Sequence, residues 1–154
     1  MSDWVELNRD QWAKQYLDTL FKERSFALDG TEDAKMSFFR VETTGDCALA
    51  RKGGGEPRPM FEFRIEIDWK VEQPVDRGKA LLETKGQIIV SNFNSEDADE
   101  PQMKLTCDTK LPSGATPAFK VLMEKLHQAV KVAGMPKVKE MLSAEFVTAL
   151  KQQV

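Results

Sequence analysis

The chain has 154 residues, enough for one domain with a buried core. With 41% hydrophobic and 31% charged residues it has the composition of an ordinary soluble globular protein. A formal net charge of −3 argues against general nucleic-acid binding, and no run approaches the roughly 18 apolar residues of a membrane span.

The chain begins Met1-Ser2-Asp3-Trp4, without the basic start and apolar core of a secretory signal. A helix is predicted from about Arg9 to about Glu23, with Asn8 as N-cap and Gln11 reaching back in a capping box. Trp12, Ala13, Tyr16, Leu17 and Leu20 form its apolar stripe. Polar residues from Ala27 to Ala34 read as a surface loop. From Met36 to Leu49 the pattern is strand-like, with Phe39, Val41 and Thr43 on one parity and a bulge or turn expected at Gly45-Asp46. Three glycines, two prolines and three basic residues between Arg51 and Pro59 make a loop. Phe61, Phe63, Ile65, Ile67, Trp69 and Val71 then alternate strictly with charged residues, the pattern of an antiparallel sheet covered on one face. A third strand runs from about Leu81 to Val90, where Gly86 implies a close backbone approach or a bulge. An acidic turn from Ser95 to Glu100 leads to a fourth, with Met103, Leu105 and Cys107.

Thr116-Pro117 signals a helix start, and Phe119, Leu122, Met123, Leu126 and Val130 form its stripe. Gly134 and Pro136 are expected to stop or kink that helix before a second stretch carrying Val138, Leu142, Phe146 and Ala149. The fold class is therefore α+β: an N-terminal helix, a four-stranded antiparallel meander, and a C-terminal helix, kinked or broken in two, packed on the sheet.

Few residues invite a chemical role. His127 is the only histidine, and with two distant cysteines, Cys47 and Cys107, it gives no paired spacing for zinc. The two cysteines read as small buried groups in a reducing compartment. Glu62, Glu66 and Asp68 share one strand face at spacings of about 6.5 Å, but Arg64 and Lys70 stand among them, as on any solvated sheet face. Gly53-Gly54-Gly55 is not a phosphate loop, because it runs through Pro57 and Pro59 into a strand. Arg51-Lys52 is either solvated charge or a contact for an acidic partner.

Several stretches in order resemble the N-terminal domain of the activator of heat-shock protein 90 ATPase. These are Trp4 to Leu7 through Trp12 to Leu17-Asp18-Thr19-Leu20-Phe21, then Gly45-Asp46 with Arg51-Lys52-Gly53. Phe61 to Trp69 follows, then Lys85-Gly86-Gln87-Ile88 with Val90-Ser91-Asn92-Phe93. The match departs from the family in three ways: the N-terminal Asn/Trp motif is reduced to Trp4, Gly54 replaces the last lysine of the basic motif, and no second domain follows.

The resemblance implies a cytoplasmic co-chaperone, monomeric on its own, with no cofactor, metal, nucleic-acid or membrane partner. The whole of 1–154 would be one domain that binds the chaperone's middle segment and raises its ATPase rate. It further implies Arg51, Lys52 and Asp46 as charged contacts, and Met60 and Phe93 as apolar anchors whose alternative is core packing. The competing expectation is a small-ligand-binding or hydrolytic domain with an apolar pocket behind Phe63, Ile65 and Leu126.

Overall fold

The computed structural model describes residues 4–75, 77–108 and 114–153. Six strands, not four, make one antiparallel sheet among them: β1 (Trp4–Asn8), β2 (Ser25–Ala27), β3 (Lys35–Lys52), β4 (Arg58–Val75), β5 (Ala80–Asn94) and β6 (Gln102–Cys107). The spatial order is β1-β3-β4-β5-β6, with β2 also on β3. The two extra strands clip to the two ends of β3, and α1 (Asp10–Lys22) bridges them. Ala13, Leu17 and Phe21 are buried as α1 lies against β3, and the Phe21 ring meets Phe38 edge-on at 5.3 Å. The expected capping box is absent: Arg9 is the N-cap, Asn8 Oδ1 accepts the Asp10 N–H at 2.9 Å, and the Asp10 carboxylate accepts from Cys47 N at 2.6 Å.

β3 is unbroken at Gly45-Asp46. Gly45 has φ +130°, and a Cβ there would lie 2.0 Å from the Glu62 carbonyl oxygen, so glycine lets two backbones approach within an intact ladder. The irregularity falls instead between Phe38 and Arg40. That bulge reverses the parity: Met36 and Phe38 are buried before it, Cys47 and Leu49 after it, and Phe39 is thrown outward at 46% exposure. The inward set of β4 is buried from Phe61 to Val71. Gly86 faces Trp69 across the ladder, and an added Cβ would meet the indole at 2.4 Å and the Thr106 carbonyl oxygen at 2.1 Å.

The C-terminal helix neither stops nor breaks at Gly134 and Pro136. It passes from α2 (Pro117–Ala129) through a π-helical turn, Val130–Gly134, into α3 (Met135–Glu140), then a second π stretch, Met141–Phe146, and α4 (Val147–Lys151). The wider turn, in which Met135 N–H reaches back to Val130 O, delivers Pro136 near the start of α3, where its missing N–H is tolerated. Gly134 serves packing: a Cβ would come within 2.7 Å of Met36 Sδ. Thr116 caps the helix, its hydroxyl accepting from Phe119 N at 3.2 Å. Along this helix Met123, Leu126, Val130, Val138, Leu142, Phe146 and Leu150 all enter the core. At the end of the sheet near the β3–β4 turn, Phe146 packs against Phe61, Phe63 and Phe93 at centroid distances of 5.5, 5.8 and 5.8 Å.

Candidate partner-binding face

Alternation in β3 and β4 sorts the candidate residues by face. Asp46, Ala48, Ala50 and Lys52 share one parity of β3, and their register partners are Glu62 for Asp46, Met60 for Ala48 and Arg58 for Ala50. This is the face turned away from the helices. Ala48 and Ala50 are only 9% and 6% exposed there because they are short and stand between taller neighbours. Ala48 floors a shallow trough whose rim carries Glu6, Asp46, Arg58, Met60, Glu62 and Glu96. Met60 is 45% exposed there. None of those four carboxylates is in an ion pair among the described residues, so the rim is an acidic surface with one cation, Arg58.

The middle of the same face is different. Arg40 pairs with Glu42, with Asp68 at 3.3 Å and with Glu66 at 3.8 Å, while Arg64 holds Glu66 at 3.6 Å and Gln87 donates to Asp68 at 3.0 Å. The carboxylates that suggested paired acid–base chemistry are thus consumed in part: Glu66 and Asp68 answer Arg40, and Glu62 stands apart on the trough.

Of the five residues singled out in the sequence, the fold brings Asp46, Lys52 and Met60 to one face. Arg51, the next residue along the strand, has the opposite parity, and its Nε donates to the Gly55 carbonyl at 3.1 Å. Phe93 requires a correction. It is 0% exposed, with its ring 4.8 Å from Phe61, and belongs to the core instead of a docking surface. The cause is a ladder irregularity: inward residues of β5 are even-numbered through Val90, the register shifts before Phe93, and an odd-numbered side chain turns inward. Four rim residues were not singled out as contacts. Arg58 and Glu62 follow from the alternation of β4 on either side of Met60, Glu96 lies in the acidic turn after β5, and Glu6 lies on a five-residue strand too short to show a period.

The remaining reactive groups are placed apart. Cys47 is 2% exposed, and burial, with the Asp10 carboxylate adding to it, pushes its thiol up to about 12. Cys107 is exposed at the end of β6. His127 Nε2 lies 2.8 Å from the hydroxyl of buried Thr84, and burial lowers its pKa. Behind Phe63, where a ligand pocket was the alternative, the Phe146 ring packs edge-on at 5.8 Å, and Leu126 borders an open groove with Glu32, Pro74 and Lys125.

With this geometry in place, comparison with known proteins is informative. No curated protein sequence matches the chain. Its structure is similar to the crystal structure of Aha-1 from Plasmodium falciparum, with a TM-score of 0.67 at 18% identity over 96% of this chain and 88% of that one. At such identity the likeness bears on the fold, where it agrees with an antiparallel sheet under a long C-terminal helix. The model of the family described as Activator of Hsp90 ATPase, N-terminal, matches residues 6–154, nearly all of the sequence. The chain therefore belongs to the Activator of Hsp90 ATPase, N-terminal, family.

Proposed function

We propose that the protein is a co-chaperone, one domain over 1–154, that binds the middle segment of heat-shock protein 90 and stimulates its ATPase. The observation that carries this reading is the family match across residues 6–154. The acidic trough around Met60 agrees with it, because unpaired carboxylates about an exposed apolar side chain suit a partner with basic and apolar groups. The protein acts by contact, as an activator and not an enzyme, in the cytoplasm and as a monomer before it meets its partner.

The energetics asked of it are modest. A tenfold stimulation needs about 1.4 kcal/mol off the chaperone's barrier. That requires tighter contact with the closed, active conformation than with the resting one, since equal affinity for both shifts nothing. Asp46, Lys52 and Met60 are the side chains assigned to this contact.

A coupled ATPase assay with purified chaperone tests the proposal. Stimulation that saturates with added protein is the expected result. Absence of both binding and stimulation at high concentration would end it. The small-ligand reading has less support, because the Phe146 ring packs on Phe63 at 5.8 Å, where the pocket was expected.

A further inference from the structure

The β3–β4 hairpin tip is held unequally on its two sides. The β3 arm is fixed by β1, in which Val5 pairs with Arg51 and Trp4 with Lys52. Among the described residues the β4 arm has no such neighbour at this level, and its ladder to β3 ends at the pair Ala50–Arg58. Pro57 and Pro59 have no N–H, so this arm cannot donate its own backbone hydrogen bonds back to β3 at those positions. The link between the arms is Gly53-Gly54-Gly55, the most permissive backbone available, with Gly53 at φ +57°. Two hydrogen bonds close it: Gly55 N–H to Lys52 O at 3.0 Å, and Arg51 Nε to Gly55 O at 3.1 Å.

Arg51 therefore ties Gly55, in the link that leads to the far arm of the tip, to the arm that β1 anchors. It does so from the face opposite Asp46, Lys52 and Met60. We infer that Arg51 is a positioning residue for partner binding: it sets the shape of the Lys52–Glu56 tip through Gly55 instead of lending its charge to the chaperone. This rests on the co-chaperone reading for its consequence, although the clamp itself is a property of the free protein.

The two roles separate experimentally. Arg51→Ala removes both the charge and the clamp. Gly54 has an ordinary backbone conformation and nothing within 4 Å of an added Cβ, so Gly54→Ala stiffens the tip without a clash. We expect Arg51→Ala to speed amide exchange at Gly55 about tenfold in the free protein. It should weaken chaperone binding about fivefold with an unchanged salt dependence, and Arg51→Ala/Gly54→Ala should recover at least about half of that loss. Unchanged exchange in Arg51→Ala would overturn the clamp. Faster exchange with parental binding would overturn its role in positioning. A salt dependence that drops with the binding loss, and no recovery on adding Gly54→Ala, would make Arg51 a contact charge. If the parent protein itself neither binds nor stimulates the chaperone, the co-chaperone reading fails, and the exchange measurement still decides the clamp.

Discussion

At the end of the sheet near the β3–β4 turn, the two faces of the same strands are built on opposite terms. Inside, Phe61, Phe63 and Phe93 close on Phe146 with ring centroids at 4.8 to 5.8 Å, and Phe63 and Phe93 are 2% and 0% exposed. Outside, one residue away along the chain, Ala48 floors a trough and Met60 stands 45% exposed beside carboxylates that have no ion pair among the described residues. The first arrangement saturates its own contacts and can only hold the fold together. The second leaves contacts unmade, as a surface must if it is to gain something from a partner. Met60 and Phe93 looked equivalent as apolar residues near strand ends, and their faces divide them.

Substitutions can break that division, and the largest effect is expected inside. Phe93→Ala should lower unfolding free energy by about 3–5 kcal/mol, because it opens a cavity in the aromatic cluster. Urea denaturation reads this, and a loss under about 1 kcal/mol would place Phe93 at the surface after all. Met60→Glu should do the reverse, leaving stability within about 0.5 kcal/mol while weakening chaperone binding about tenfold by titration calorimetry. Equal binding would remove Met60 from the contact.

Cys47 sharpens the inner side through pH. Its thiol ionises near pH 9 when unfolded and is pushed up to about 12 in the fold. Its contribution is fully present below pH 9 and is lost as pH rises toward 12, because only the unfolded state releases the proton in that window. The urea midpoint should therefore fall less steeply between pH 8.5 and about 10.5 in Cys47→Ala than in the parent. Parallel curves would mean that the thiol is not shielded. The smallest effect is expected at Arg40→Ala, in the self-paired middle of the outer face. Chaperone affinity should be unchanged there, and a clear loss would extend the contact region along the sheet.

What could be read from the sequence follows from how long each pattern persists. β4 was legible because its alternation runs unbroken from Phe61 to Val71, and every inward residue in it is buried. β1 and β2 have five and three residues, too few for any period, so the meander was short by two strands. The bulge at Phe38/Arg40 has no glycine to announce it, whereas Gly45, which suggested a break, lies in a continuous ladder. Gly134-Met135-Pro136 would end an ordinary α-helix, and the π turn before it lets the helix continue. For the candidate site, Asp46, Lys52 and Met60 came from the family resemblance, and their shared face shows only once β3 is seen to run on to Lys52 and β4 to start at Arg58. A single register shift in β5 was enough to misplace Phe93, since one extra residue flips every side chain beyond it.

The close fit of Gly134 over Met36 carries a chemical corollary. Met36 is 0% exposed, and its sulfur has no spare room on the helix side. Peroxide can reach that thioether only while the helix is lifted from the sheet. A sulfoxide formed in such an opening would bring a polar oxygen to the spot where even a methyl group does not fit. Oxidative injury at this one atom would act as a ratchet: guarded while the protein stays closed, and hard to reverse by refolding once it has happened.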